Sequence, residues 1–105
     1  MTERHNEAHD FLIKLRKIER AGLTARDVLI LYGIDRKPGT MGRELALKLG
    51  YPSRSHVQDH IARLCRLGFA EDRRKSINRL TPNDLHITQQ GEAFLADILP
   101  SRELA

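Results

Sequence analysis

The sequence predicts a single, mainly α-helical domain of 105 residues that carries one small β-hairpin towards its C-terminal end. Apolar residues recur at helical spacing in five segments, and the spacing changes to strand-like alternation in two short ones. Gly and Pro residues separate most of these segments. The expected order of elements is therefore α-α-α-α-β-β-α. A chain of this length suits one modest core, so residues 1–105 are expected to form one domain.

The first two predicted helices differ in the width of their apolar faces. Residues 4–20 carry a narrow stripe with the spacing i, i+3, i+4 and i+7, and Gly22 follows them. The second helix, residues 25–34, is apolar over most of its circumference, which places it at the centre of the core. Thr24 and Asp27 have the spacing of an acidic capping box at its start.

Two further helices are expected on either side of a tight turn. Thr40 is placed to cap the first, within MGRELALKLG, and Gly50 ends it. Ser53 is placed to cap the second, residues 54–67, whose apolar stripe lies opposite a polar face. Two helices joined in this way are typical of a helix-turn-helix, in which the second helix fits the major groove of DNA.

A hairpin and a last helix are predicted after this pair. FAEDR and LHIT alternate as strands and enclose a polar loop, so residues 71–88 are expected to form a wing. Thr88 is placed to cap the last helix, and Pro100 stops it. A helix-turn-helix followed by such a hairpin is a winged helix-turn-helix.

The basic charge is concentrated in the middle of the chain. Residues 36–79 contain eleven Lys or Arg and four Asp or Glu, a net charge of +7, whereas the whole chain carries +4. This distribution favours a surface that binds a polyanion.

We therefore expect double-stranded DNA to be the partner. The first turn of the 54–67 helix would present polar side chains to base edges in the major groove, and basic side chains would hold phosphates. The wing would lie along the backbone or reach a minor groove. The predicted DNA-binding residues are Arg43, Arg54, Ser55, His56, Gln58, Asp59, Arg63, Arg73, Arg74, Lys75 and Arg79.

The segments LTARDVLILYGI, MGRELALKLGY, SRSHVQDHIARLCRLGFAED and LHITQQGEAFL resemble, in this order, the MarR-type winged-helix transcription regulators. The resemblance covers about residues 22–96. The part from LGYPSR to GFAE is also similar to the DNA-binding domain of the LexA repressor. The resemblance implies the same recognition helix and wing, and a small transcriptional regulator, with repression as the expected effect. The resemblance departs from the family at one point, since the wing is expected to lack the Asp-x-Arg signature that is common in MarR wings.

Apolar side chains on the first and last helices are predicted to form a homodimer. Helix-turn-helix proteins usually dimerise so that two recognition helices meet successive major grooves. The alternative is that both stripes close the core of the monomer. The expected dimerisation elements are residues 4–20 and 88–99, with the side chains of Phe11, Leu12, Leu15, Ile18, Leu95, Ile98 and Leu99.

Metal binding is a weaker hypothesis. His5 and His9, and again His56 and His60, stand four residues apart, a spacing that lets two imidazoles on a helix share a metal ion. Cys65 stands alone and no further ligand set is recognisable, so no metal site and no cofactor are predicted. We expect His60, beside the apolar stripe, to be packed and hydrogen-bonded, and Cys65 to be a buried, reduced thiol.

Other function classes have less support. No phosphate-binding glycine loop, paired carboxylates or nucleophile-histidine pattern suggests an enzyme. A winged helix can also be a protein-interaction module, or an accessory factor in the replication or recombination of a mobile element. No apolar run approaches the roughly 20 residues of a membrane span, so a cytoplasmic, nucleoid-associated protein is expected. The residues give no support for a small-molecule effector.

Overall fold

A computed structural model describes residues 2–76 and 81–100 of the chain, with side chains from residue 6 onward. Within these residues, five helices and a two-stranded antiparallel hairpin confirm the predicted mainly α-helical winged fold. The elements are α1 (Thr2–Arg20), α2 (Ala25–Arg36), α3 (Gly42–Lys48), α4 (Ser55–Arg66), β1 (Ala70–Asp72), β2 (Leu85–Ile87) and α5 (Gln89–Ile98). None of the helices in this part of the chain combines the length and the apolar composition needed to cross a membrane.

Helix α2 lies at the centre of the fold, as its apolar composition predicts. Ile30, Leu31 and Ile34 are completely buried, and the helix packs against α3, α4, α5 and β2. The predicted capping box is present at its start. The backbone N–H of Asp27 donates to Thr24 Oγ1 over 3.1 Å, and the N–H of Thr24 donates to Asp27 Oδ2 over 2.7 Å. These reciprocal bonds fix the first turn of α2 within the core.

The predicted caps of α3 and α4 are wrong. Thr40 is buried, and its carbonyl accepts the N–H of Leu85 over 3.0 Å, so it serves the hairpin rather than the start of α3. Its hydroxyl donates to Glu44 Oε2 over 3.3 Å. At α4 the cap position falls one residue later than predicted, on Arg54, which forms no side-chain cap bond. Neither helix therefore begins at the side-chain cap that the sequence predicts.

Helix α5 follows the hairpin directly and packs against β2. Strands β1 and β2 pair with Ala70 opposite Ile87 and Asp72 opposite Leu85. Thr88 caps α5 as predicted, since its Oγ1 accepts the N–H of Gly91 over 3.0 Å. A Cβ added at Gly91 would lie 2.1 Å from the carbonyl oxygen of Phe69, so the helix approaches this backbone more closely than a side chain allows.

Helix α1 extends away from the rest of the domain, and the structure including this helix measures 54 × 28 × 27 Å. Near its end, Ile18 packs against the core and Lys17 forms a 3.0 Å ion pair with Asp97 of α5. Farther from the core, Phe11 is 60% exposed and Leu12 is 58% exposed. Much of the predicted apolar stripe of α1 is thus left uncovered by residues 6–76 and 81–100.

The last helix contradicts part of the predicted dimer surface. Leu95 is 2% exposed and Ile98 is 4% exposed, so both belong to the core of the monomer. Leu99 is half-buried and packs against the same core. The reason is that α5 turns its apolar stripe towards α2 and β2. For this helix the alternative interpretation, closure of the chain's own core, describes the structure.

Candidate nucleic-acid interface

The first turns of α4 present a continuous polar surface. The exposed side chains are Ser55, His56, Gln58 and Asp59. The buried side chains of the same helix are Val57, Ile61 and Leu64. One face of α4 therefore anchors the helix in the core, while the other face is open to a ligand. This is the division that the sequence predicts for a recognition helix.

A groove of about 420 Å³ lies between α4 and the base of the hairpin. Gln58 and Ala62 of α4 line one side of it, and Asp72, Arg74 and Asn83 line the other. Gln58, from the polar surface of the helix, and the base of the wing therefore line one shared groove.

A second groove, of about 460 Å³, lies where α3 and α4 begin. Arg43 and Arg54 contribute to its walls, together with Ser53 and Asn83. The side chain of Arg54 passes over Gly42, since a Cβ at that glycine would lie 3.1 Å from Arg54 Cγ. Two guanidinium groups at one groove make its surface attractive to an anion.

The base of the wing is held by one carboxylate. Asp72 accepts hydrogen bonds from the side-chain amide of Asn83 over 2.8 Å and from the backbone N–H groups of Arg74 and Asp84 over 3.1 Å each. Burial by itself raises the pKa of Asp72, but these donors and the charge of Arg74 outweigh it and bring the pKa below its ordinary value of 3.8. The carboxylate is therefore ionised at neutral pH and fixes the two arms of the hairpin.

Residues 72–74 read Asp-Arg-Arg, so the expectation that the wing lacks the Asp-x-Arg pattern is wrong. Arg74 Nε lies 3.1 Å from Asp72 Oδ2, and Arg74 Nη1 donates to the carbonyl of Thr81 over 3.3 Å. Arg74 is thus engaged inside the hairpin.

The other predicted basic residues of the wing are arranged differently. Arg73 pairs with Glu71 over 2.6 Å at the exposed surface, and Lys75 is exposed. Arg79 lies outside the described residues. Surface pairs of this kind are weak, so Arg73 can exchange Glu71 for a phosphate at low cost.

Arg63, also predicted to hold a phosphate, points to a partner within the protein. Its Nη1 donates to both carboxylate oxygens of Asp27, over 3.1 and 3.0 Å. His60 Nδ1 lies 2.6 Å from Asp27 Oδ1. The interpretation of His60 as a packed, hydrogen-bonded histidine is confirmed. The sequence assigned Asp27 only to the capping box of α2, so this cluster was not predicted.

His56 is oriented by two neighbours on the turn that precedes α4. Its ring stacks on Tyr51, with the centroids 6.1 Å apart and the planes 7° from parallel. Its Nδ1 lies 3.2 Å from Ser53 Oγ. These contacts use one face of the imidazole and its Nδ1 atom, so Nε2 is the ring atom left for a nucleic-acid contact. Sequence reasoning did not assign a role to Tyr51.

The histidine pair on α4 does not converge on one point, because His56 contacts Ser53 whereas His60 contacts Asp27. Among the residues whose side chains the structure describes, no three His, Cys, Asp or Glu side chains form a cluster that could hold a metal ion. The side chain of His5 lies outside that set. Cys65 is half-buried, and burial raises the pKa of its thiol, so the group is protonated and unreactive at neutral pH.

No protein-family model and no curated protein matches the sequence. Solved structures nevertheless share the fold. The crystal structure of MarR superposes with a TM-score of 0.67 and 27% sequence identity, over 86% of this chain and 59% of that one. The chain therefore spans less than two thirds of the length of MarR.

Two further structures show the same likeness. The transcriptional repressor CouR, bound to a 23-mer DNA duplex, has a TM-score of 0.63 and 24% identity, over 90% of this chain and 66% of that one. YusO from Bacillus subtilis has a TM-score of 0.70 and 15% identity, over 92% of this chain and 67% of that one. The similarity to LexA stays a sequence-based prediction. The likenesses show that this chain has the winged-helix fold of the MarR-type transcription regulators.

Proposed function

We propose that this protein is a transcriptional regulator that binds double-stranded DNA at specific sequences and acts as a repressor. Helix α4 would enter the major groove, and the wing would follow the backbone or a minor groove. One observation carries the proposal: Gln58, on the exposed polar face of α4, and the base of the basic hairpin line the same groove. A duplex that places base edges against α4 would thus also bring its phosphates to the wing.

Direct reading of bases is assigned to exposed side chains of α4. Gln58 can bond an adenine through both its oxygen and its amide nitrogen, and Asp59 can accept a hydrogen bond from a cytosine. The hydroxyl of Ser55 and Nε2 of His56 can each form a single hydrogen bond to a base edge. Each of these side chains is exposed in the free protein, so binding them to bases requires no rearrangement of the core.

Contacts to phosphates are assigned to the basic side chains that form no ion pair with a buried or partly buried carboxylate among residues 6–76 and 81–100. Arg43 and Arg54 flank the groove where α3 and α4 begin, and Arg73 and Lys75 are exposed on the wing. Arg63 and Arg74 are engaged by Asp27 and Asp72, respectively. We therefore assign both of them to the support of α4 and of the hairpin rather than to phosphates.

The structural neighbours support this proposal. They are transcription regulators rather than enzymes, and the repressor CouR is bound to a DNA duplex. A sequence identity of 24% to CouR supports a shared fold but does not indicate a shared operator sequence. The bases that this protein prefers therefore have to be measured.

Dimerisation is proposed through α1. Phe11, Leu12 and Leu15 form an exposed apolar face on a helix that extends away from the domain. An apolar groove of about 300 Å³ continues this face towards the core, between Ile18 and Leu29. Uncovered apolar surface of this kind on a projecting helix is typical of an interface. We propose that residues 1–105 act as one DNA-binding domain whose segment 4–20 joins two copies, with Leu99 at the margin.

Binding to a pool of random duplexes, combined with light scattering in the same buffer, tests the proposed function. We expect enrichment of a near-palindromic motif by a dimer. Salt-sensitive binding without any enriched motif would indicate an architectural or accessory role instead. Absence of binding at low salt would contradict the proposal and favour a protein-interaction module.

A further inference from the structure

Asp27 is a charged residue in a place where charge is costly. Its side chain is completely buried, yet it accepts bonds from His60 and from Arg63, both on the recognition helix. Burial by itself raises the pKa of Asp27, but the N–H of Thr24 and these two side chains together lower the pKa below 3.8. A buried ion is tolerated only where directional partners replace its hydration. The carboxylate therefore needs α4 to be in one particular position.

Three residues of α4 share the stripe that faces the start of α2. His56, His60 and Arg63 are spaced at i, i+4 and i+7, which places them on one side of the helix. His60 and Arg63 bond Asp27 directly. The preceding residue, Arg26, lies 5.1 Å from the centre of the Tyr51 ring, which stacks on His56. Asp27 thus contacts the middle of α4 directly, whereas Arg26 is linked to its first turn through Tyr51.

Apolar packing alone would define the setting of α4 less sharply. The contacts of Val57, Ile61 and Leu64 are non-directional, whereas a hydrogen bond fixes both distance and angle. The hydrogen bonds to Asp27 come from two residues three apart on α4, so they restrict both the rotation of the helix and its shift along the axis. The capping box holds the first turn of α2, so Asp27 itself is fixed. Because they are attached to α4, the polar side chains on its open face are also limited in position by the same hydrogen bonds.

We propose that Asp27 is a positioning residue for DNA recognition, which sets the orientation of α4 through His60 and Arg63 and keeps the Arg63 guanidinium away from phosphates. The proposal rests on the proposed DNA-binding function. Asp27 is fully buried and so has no contact with DNA of its own. Its influence should appear in the discrimination between sequences, whereas a residue that only stabilised the fold would change binding to all duplexes alike.

Arg63→Gln is the first test, because the side chain is partly exposed and the glutamine amide can still donate a hydrogen bond to the carboxylate of Asp27. We expect affinity for the selected duplex to fall by about tenfold. Affinity for a random duplex and the slope of log affinity against log salt should stay the same, since Arg63 holds no phosphate. A weaker random-duplex affinity with a slope reduced by about one would show a phosphate contact and overturn the proposal.

Asp27→Asn tests the other side of the same pair, because it keeps the shape and one acceptor but removes the charge. Arg63 is then released, so binding to a random duplex should be retained and its salt slope should steepen by about one, while binding to the selected duplex weakens. Adding Arg63→Gln to this variant should return the slope to that of the wild type. Glu92→Gln, which removes a negative charge from an exposed side chain of α5, is the matched control and should change neither quantity. Equal weakening of both duplexes by Asp27→Asn at an unchanged slope would assign Asp27 to stability alone.

A measurement without DNA separates this proposal from the proposed function. In the free protein, the Nδ1 proton of His60 should give a protected NMR signal, and backbone amides of α4 should exchange slowly. In Asp27→Asn the signal should be lost and exchange in α4 should accelerate more than in α5. If the wild type selects no duplex, the proposed function fails, and these signals still report on the link between α2 and α4. Unchanged His60 and α4 signals in a folded Asp27→Asn would overturn the positioning role.

Discussion

The side-chain amide of Asn83 donates a 2.8 Å hydrogen bond to the carboxylate of Asp72, and this bond joins the two arms of the wing at their base. The carbonyl oxygen of the same amide accepts the N–H of Gly42, at the first turn of α3, over 3.3 Å. One side chain therefore ties the hairpin to the helix-turn-helix. Since the proposed DNA contacts are divided between these two parts, Asn83 sets their relative position.

We expect Asn83→Ala to lower the free energy of unfolding by about 1 kcal/mol, because it removes two hydrogen bonds from a partly buried site and leaves a donor unpaired. DNA affinity should weaken for selected and random duplexes together, since the wing loses its fixed position. Urea unfolding and duplex binding measure the two effects. Gln89→Ala, at an exposed position of α5, is the control and should leave both unchanged. A stability equal to that of the wild type would show that the amide contributes nothing.

Acid should destabilise the fold through two carboxylates. The pKa values of Asp27 and Asp72 are both lower in the folded protein than their ordinary value of 3.8. A lowered pKa means that the folded state favours the ionised form, so this stabilisation is fully present above the unfolded value and is lost as the pH falls through the folded value. We expect the free energy of unfolding to decline as the pH falls through 3.8 and to go on declining until the pH has passed the lowered pKa values of both groups.

Urea unfolding over this pH range tests the assignment. Asp72→Asn should be less stable than the wild type near neutral pH and should show a flatter decline in acid, because one of the two groups no longer titrates. Glu92→Gln, which alters an exposed carboxyl group, should keep the decline of the wild type. If Asp72→Asn declined as steeply as the wild type, the acid sensitivity would have to come from other groups.

The elements themselves could be predicted because their causes are local. The spacing of apolar residues gives the five helices, and the capping pair of Thr24 and Asp27 gives the start of α2. Alternation gives the two strands, and the confirmed cap at Thr88 gives the start of α5. Each of these features depends on residues within one or two turns of each other. The exposed face of α4 follows from the same periodicity.

The contacts that organise the site could not be predicted in this way, because their partners are distant in sequence. Asp27 meets residues 33 and 36 positions later, and Asn83 meets Gly42 across 41 positions. The stripe of α5 was misassigned for a related reason. Periodicity shows that Leu95 and Ile98 share a face, but whether that face meets α2 or a second copy depends on the tertiary arrangement.

Gln58→Ala should relax sequence preference at one base position. Loss of a bidentate contact to a base costs about 1 to 3 kcal/mol for the preferred base and little for the others. Selection from a duplex pool with the base at that position varied measures the change, and the salt slope should stay the same because no phosphate contact is removed. Gln89→Ala, an exposed glutamine on α5, is the matched control. Retention of the full preference by Gln58→Ala would contradict the assignment of this side chain to base reading.

Leu12→Glu should convert the proposed dimer to a monomer without unfolding it. Leu12 is 58% exposed on α1, so the monomer tolerates a charge there, whereas burying that carboxylate between two copies is costly. Light scattering should give twice the 12.0 kDa mass of one chain for the wild type and a single chain mass for the variant. Leu47→Glu makes the same chemical change at an exposed leucine of α3 and should keep the dimer mass. A dimeric Leu12→Glu would exclude this face of α1 from the interface.

If Leu12→Glu is monomeric, we expect it to bind the palindromic duplex with lower affinity than the wild type. Its affinity for a duplex with a single half-site should equal that of the wild type, because each α4 reads its own half-site.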